Sequence, residues 1–248
     1  MGVGIGVAVI ARNEADRIMR LLTSVAFADE IVVVDSGSTD GTPDICRASG
    51  AKVVFQPWLG FAAQKQVAMD LVQAPWILSL DADEWLSDAL VDEIRQAVRD
   101  VPKSVAGFSM PRLSRYLGRW IRYGGWYPDR KIRLVRAGSG RWVGEGLHER
   151  LEVTGTVRRM REPILHDVYR DIADQVATIN RFSDVHAADQ PARGHWYVVA
   201  GLVHAAVKFF ECYVWKSGFL DGVPGLVIAM NSAWYVFLKH AKVWEKGI

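Results

Sequence analysis

Two aspartates one residue apart, Asp81 and Asp83, follow the apolar run Trp76 to Leu80, and Glu84 comes directly after them. At a strand end, residues i and i+2 point to the same side, so two such carboxylates converge on one ligand. Hard oxygen donors in that arrangement suit Mg2+ or Mn2+, with phosphate oxygens and water completing the shell. A cation there would stabilise charge building on a departing diphosphate. The plainer reading is a solvated Asp81 beside an Asp83 that caps a turn; the company the pair keeps argues against it. Ala11-Arg12-Asn13-Glu14 follows an earlier apolar run, and Asp35-Ser36-Gly37-Ser38-Thr39-Asp40-Gly41-Thr42 follows another. Together the three clusters offer acceptors for a base and a ribose, backbone amides for phosphate, and a cation site for a pyrophosphate. Gly37 and Gly41 permit tight turns, and Ser38 and Thr39 can serve as caps. Gln64-Lys65, at the start of a helical pattern, adds an ammonium near the same rim.

These groups need a frame. Val7 to Ala11, Ile31 to Val34, Lys52 to Phe55 and Trp76 to Leu80 are short apolar or β-branched runs of the kind buried on both faces of a sheet. Helical patterns lie between and after them: Glu14 to Val25, Gly41 to Ser49, Phe61 to Val72 and Asp88 to Arg99. Thr42 is placed to cap the second helix with Pro43 in its first turn, and Ser87 to cap the fourth. The alternation predicts parallel βαβ units with right-handed crossovers, whose ligands bind beyond the carboxyl ends of the strands. The segment from Val105 to Glu162 is richer in glycine, tryptophan and arginine, with strand-like pieces such as Lys131 to Val135. Asp171 to Ala188 reads as a helix. Two apolar helical patterns, Trp196 to Trp215 and Gly225 to Trp244, follow around a turn rich in helix breakers.

Half of the 248 residues are hydrophobic and 23% are charged, a globular balance, and the net charge of +2 does not imply nucleic acid. The two cysteines, Cys46 and Cys212, make neither a disulfide framework nor a zinc spacing, and a reducing cytoplasm is the expected compartment. The first residues run straight into apolar sequence without a basic leader region, and read as a first strand rather than an export signal. A dinucleotide-binding reading fails because Gly2, Gly4 and Gly6 precede and enter that strand instead of opening a helix after it. A haloacid-dehalogenase-type phosphatase reading fails because its aspartate pair belongs after an early strand, not the fourth.

Val33-Val34-Asp35-Ser36-Gly37-Ser38-Thr39-Asp40-Gly41-Thr42, followed by Leu80-Asp81-Ala82-Asp83-Glu84, resembles the family-2 inverting glycosyltransferases with a GT-A fold. Trp58-Leu59-Gly60-Phe61 with Gln64-Lys65, Tyr123-Gly124-Gly125-Trp126-Tyr127-Pro128-Asp129, Arg133-Leu134-Val135-Arg136 and Gly218-Phe219-Leu220-Asp221-Gly222 resemble its lipopolysaccharide core β-glucosyltransferase branch, over nearly the whole chain. The resemblance implies an α/β, mainly parallel mixed sheet flanked by helices. Residues 1–105 would form the nucleotide-sugar-binding half, 106–190 the acceptor-binding and catalytic half, and 191–248 an apolar helical hairpin. It further implies that Ala11, Arg12, Asn13, Glu14, Asp35, Ser36, Gly37, Lys65, Asp81 and Ala82 bind the sugar nucleotide. Asp81 and Asp83 would hold Mg2+ or Mn2+, Asp83 foremost, and His148 would be an added ligand. The donor would be UDP-glucose and the acceptor a heptose of the lipopolysaccharide inner core; polyprenyl phosphate or another anionic lipid-linked glycan is the alternative acceptor. A membrane-tethered sugar-nucleotide-binding protein without catalysis is the alternative from another class.

Inversion by single displacement needs a carboxylate to take the proton of the acceptor hydroxyl as its oxygen attacks. The acidic-pair signature usual for that base is missing, and Gly144-Glu145-Gly146-Leu147-His148-Glu149 stands in its place. Glu149 and Glu145 are the candidates, with Glu149 preferred. From Arg112 to Arg141 only Asp129 is acidic, amid nine lysines and arginines. Arginine forks suit phosphate and carboxylate, and tyrosine and tryptophan suit sugar rings. Arg112, Arg122, Tyr123, Trp126 and Arg133 are therefore the expected acceptor contacts, with anionic lipid headgroups as another use for the same face. No nucleic-acid-binding motif occurs. His204, Lys208 and Glu211 interrupt the first terminal helical pattern, which makes full insertion costly. The expectation is a peripheral or monotopic hairpin on the cytoplasmic face of the inner membrane, with a soluble packing hairpin or dimer interface, or a transmembrane pair, as alternatives.

Overall fold

The computed structural model describes residues 4–144 and 148–248, so Glu145 lies outside the described residues. The chain divides into two compact units: Met1–Arg112 with Arg130–His166, and Leu113–Asp129 with Asp167–Ile248.

The first unit opens with β1 (Ile5–Ala11), α1 (Ile18–Ser24), β2 (Glu30–Asp35), α2 (Thr42–Ala48), β3 (Lys52–Phe55), α3 (Phe61–Asp70) and β4 (Trp76–Asp81). Along the chain there follow β5 (Glu84–Leu86), α4 (Asp88–Arg99), β6 (Val105–Tyr116), whose end passes into the second unit, β7 (Arg119–Trp120) of that unit, and then β8 (Asp129–Arg136), β9 (Gly140–Val143), β10 (Arg150–Val153), β11 (Thr156–Arg159) and β12 (Ile164–Asp167). The main sheet runs β3-β2-β1-β4-β8-β6-β12-β5. Pairs β2–β3, β1–β2 and β1–β4 are parallel, whereas β8 lies antiparallel to β4 and β12 antiparallel to β5. This is the mixed, mainly parallel GT-A architecture.

Alternation explains why those strands are apolar throughout. Val7, Val9, Val33, Leu78 and Leu80 pack to one face with Leu21 of α1 and Ile94 of α4. Ala8, Val32, Val34 and Ile77, one residue out of phase, pack to the other face with Ala68 and Met69 of α3. Burial of both faces is what a parallel sheet between helices requires. Ser87 caps α4, its hydroxyl oxygen accepting from the Leu90 N–H at 3.3 Å.

Two boundaries differ from expectation. The helix expected from Glu14 begins at Ile18, because Asn13 is left-handed (φ 56°) and Glu14 to Arg17 form a turn. Thr42 is the first residue of α2 rather than its cap; Gly41 holds the cap position, and Thr42 donates its N–H to Asp40 Oδ1 at 3.1 Å.

In the second unit, β7 turns back against the end of β6, pairing Arg115 with Trp120 and Tyr116 with Arg119. Helix α5 (Ile172–Ala188) follows, then α6 (Trp196–Phe210), which continues as a π-helical turn over Glu211–Trp215. A 3-10 turn, Gly218–Asp221, leads into α7 (Gly222–Glu245). Tyr116, Ile121 and Ile228 form the core, with Trp126 and Tyr169 against it. Helices α6 and α7 approach closely at Gly201, where a Cβ would come within 2.6 Å of the His240 Cβ.

Candidate functional site

Strand register brings the three polar clusters to one rim. Ala11 pairs with Asp35 across β1 and β2, and Ile10 pairs with Asp81 across β1 and β4. All three strands therefore end at the same level, and the loops after them share one edge of the sheet.

The loop after β2 is built around Asp35, which is buried. Its Oδ2 accepts from the N–H groups of Gly37 at 2.8 Å and Ser38 at 2.9 Å, and the Ser38 hydroxyl bonds to Oδ1. Gly37 carries φ 92°, a turn conformation that side chains resist. The first loop docks onto the second. Asn13 donates its N–H to Ser38 Oγ at 2.9 Å and accepts from the Thr39 N–H at 2.8 Å. Glu14 donates its N–H to Thr42 Oγ1, and Ala15 donates to Asp40 Oδ2. Ser36 Oγ accepts from Gln64 Nε2 at 3.1 Å, tying in the start of α3. Arg12 remains exposed and Ala82 buried.

Around the aspartate pair lies a network of alternating charge. Lys65 Nζ is 2.7 Å from Asp81 Oδ1, and Arg133 Nη2 is 2.7 Å from Asp81 Oδ2. The same Arg133 nitrogen is 2.8 Å from Glu84 Oε1, which Arg112 also reaches at 3.2 Å. Glu84 Oε2 accepts the N–H of Asp81 at 3.0 Å. Burial alone would raise the Asp81 carboxyl, but Lys65 and Arg133 outweigh it and hold it well below the usual carboxylate range. Burial likewise opposes ionisation of Asp83, and His166 and Arg17 prevail over it and over the Asp81 charge. His166 Nε2 lies 3.5 Å from Asp83 Oδ2. Both aspartates are thus carboxylates, with side chains 25% and 20% exposed.

Glu149 joins this network through Lys65, whose Nζ is 3.3 Å from its Oε1 and stands 4.7 Å over the Trp142 ring. Lys65 itself is buried. His148 is exposed.

The expected acceptor contacts separate. Arg122 and Tyr123 are exposed, with the Arg122 guanidinium over the Tyr127 ring. Trp126 packs against Tyr116 and Tyr169, its ring centroid 6.0 and 6.4 Å from theirs. Arg112 turns onto Glu84. Arg133 is 2% exposed and neutralises Asp81 and Glu84, so its fork has no surface to offer an acceptor. Glu84 and His166 were not singled out from sequence. An acid directly after the aspartate pair, and a lone histidine in the strand-like Ile164 to Asp167, were the available signals.

The donor set fits a divalent cation. Asp81 and Asp83 are partly exposed, ionised oxygen donors, and phosphate oxygens and water suit the remaining positions. Among the described residues, no three His, Cys, Asp or Glu side chains gather as a ligand cluster. Because both oxygens of Asp81 already engage cations, Asp83 is the carboxylate better placed to bind a metal.

Comparison with known proteins finds similar glycosyltransferases. The chain is 29% identical to the lipopolysaccharide core biosynthesis glycosyltransferase LpsC of Rhizobium meliloti, covering 96% of this chain and 91% of that one. It is 52% identical to a glycosyltransferase of Rickettsia bellii, covering 97% and 86%. Glucosyl-3-phosphoglycerate synthase from Mycobacterium tuberculosis, solved with Mn2+, UDP and glucosyl-3-phosphoglycerate, is 25% identical with a TM-score of 0.37, covering 47% of this chain and 45% of that one. Residues 6–145 match the family described as glycosyl transferase family 2, and the chain belongs to that family of glycosyltransferases.

Proposed function

We propose that the chain is a metal-dependent inverting hexosyltransferase that moves glucose from UDP-glucose to a heptose of the lipopolysaccharide inner core. The observation that carries this reading is the ion network in which Lys65 links Asp81, on the donor rim, to Glu149. It joins a metal-binding carboxylate and a proton acceptor through one side chain. The loops of Ala11 to Glu14 and Asp35 to Gly37 would hold uracil and ribose. Asp83, with Asp81 and with His148 as an added ligand, would hold Mg2+ or Mn2+. A bound divalent cation supplies charge neutralisation for the departing diphosphate.

Glu149 takes the proton of the acceptor hydroxyl. The freed electron pair on that oxygen forms the new bond to the anomeric carbon, from the face opposite the diphosphate. The bond from that carbon to the diphosphate oxygen breaks, UDP leaves with the electron pair, and the anomeric configuration inverts. Lys65 keeps Glu149 paired with a fixed cation, so the base is positioned before the acceptor arrives.

The name of the Rhizobium meliloti relative supports a core-lipopolysaccharide acceptor. Exposed Arg122 and Tyr123 suit an anionic glycan. Such an acceptor is membrane-borne, and the segment Trp196–Trp215 is long and apolar enough to cross a bilayer by length and composition. We place the enzyme on the cytoplasmic face of the inner membrane as a peripheral or monotopic protein. The test is mass analysis of purified core lipid and of polyprenyl phosphate, each incubated with the enzyme, a divalent cation and a panel of sugar nucleotides. A hexose added to core lipid from UDP-glucose is the expected product. Transfer only to polyprenyl phosphate would replace the acceptor, and transfer without any divalent cation would remove the metal from the scheme.

A further inference from the structure

The terminal hairpin pairs its polar side chains with one another and leaves a row of apolar ones exposed along α6. Trp196, Val199, Val203, Val207, Phe210 and Val214 are all exposed, from 47% to 80%. Their spacing, three or four residues at each step, places them in one stripe along the helix. His204 flanks it, its Nδ1 3.1 Å from His240 Nε2 of α7. Lys208 and Glu211, which also flank it, pair with each other at 3.0 Å. The polar groups that interrupt the apolar sequence are thus paired within the hairpin.

Helix α7 repeats the pattern. Val223, Leu226, Met230 and Trp234 follow the same spacing and are exposed, Val223 to 72%. The turn between the helices adds Trp215, exposed to 83%, with Phe219 and Leu220.

The exposed charge at this turn is cationic. Arg119 is half exposed and donates from Nη2 to the Leu220 carbonyl at 2.9 Å, which fixes its guanidinium beside the apolar turn. Lys216 is also half exposed, and its partner Glu211, 2.5 Å away, is shared with Lys208. The remaining acid, Asp221, is buried; it lies 3.7 Å from Arg119 Nε and accepts the N–H groups of Arg122 and Tyr123. Apolar stripes with tryptophan at their ends and cations beside them match the boundary between lipid headgroups and acyl chains.

We infer that the two stripes and the turn form a lipid-docking surface for an anionic phospholipid bilayer, with the helices lying in the interface. Arg119 and Lys216 sit at the level of the lipid phosphates. This deepens the membrane part of the proposed function and uses nothing of the donor site.

The test is flotation of the full chain with vesicles of phosphatidylcholine alone and of phosphatidylcholine with phosphatidylglycerol. The expected result is strong binding to the anionic vesicles and weak binding to the neutral ones. A Val203→Ser, Val207→Ser, Phe210→Ser triple variant should lose at least about tenfold in that binding, and Arg119→Ala with Lys216→Ala should remove the preference for anionic lipid. UDP binding, measured by calorimetry, should be unchanged in both, which separates failure here from failure of the donor-site reading. The inference is overturned if the wild-type chain floats with neither vesicle, or if the triple variant floats like wild type. It is also overturned if light scattering finds a lipid-free dimer that the triple variant dissociates, since a second copy would then own the face.

Discussion

Glu149 Oε1 lies 3.3 Å from the Nζ of Lys65, a residue 84 positions earlier in the chain. The same ammonium is 2.7 Å from Asp81 Oδ1, so one buried cation ties the strand end of β4 to the segment before β10. Removing it would leave two carboxylates facing each other across a site that already holds a third acid in Glu84. Lys65→Met should lower turnover by at least about 100-fold and destabilise the fold by roughly 3 kcal/mol. Lys65→Arg should restore part of both. Steady-state UDP release and urea unfolding of the two variants check this; a Met variant with wild-type turnover would detach Lys65 from the mechanism.

Glu149→Gln keeps the shape of the side chain and removes its basicity. Turnover should fall by about 100-fold to 10,000-fold, while UDP affinity measured by calorimetry stays within about twofold. Normal turnover would pass the role of base to Glu145.

Asp83→Asn removes the carboxylate best placed for a cation. UDP should bind the variant equally with and without Mn2+, whereas the wild type should bind more tightly with the metal present. Calorimetric titration with and without chelator reads the difference directly, independent of turnover. An unchanged metal effect in the variant would move the cation site elsewhere.

Asp221 is the anchor of the second unit's glycine-rich loop, accepting the Tyr123 N–H at 2.8 Å and the Arg122 N–H at 3.1 Å. Asp221→Ala leaves both donors without their acceptor and should cost about 1–3 kcal/mol. Thermal unfolding would show this as a lower midpoint, and Asp221→Asn, which keeps one acceptor oxygen, should lose less.

Burial, reinforced by the Asp35 charge and opposed by Arg47, pushes the Cys46 thiol up from 9.0 to about 11. A raised folded-state value means that the folded protein holds the proton more tightly than the unfolded chain. This contribution to stability is therefore complete below pH 9 and is lost as pH rises through 9 to 11. Urea unfolding across that range should show a steeper alkaline decline for wild type than for Cys46→Ala. Parallel declines would assign the effect to other groups.

The sequence alone determined the alternating elements and the chemistry of their ends. Apolar runs and helix signals are local, so they placed β3 and α4 at their observed bounds and put the aspartate pair at the end of β4. The two motifs Tyr123 to Asp129 and Gly218 to Gly222 were legible as motifs, but not as partners joined by Asp221. Likewise Arg133 read as an acceptor contact within a basic stretch. Only tertiary structure showed that it is buried against Asp81 and Glu84, because β8 pairs with β4 in a register that sequence spacing does not encode. The Lys65 bridge and the His166 contact have the same origin. Each joins side chains from elements far apart in sequence, and their distances depend on how helices and strands pack rather than on any local preference. The same holds for the hairpin: its composition announced an apolar pair of helices, and only packing decided that His204 meets His240 across them while the apolar row stays exposed.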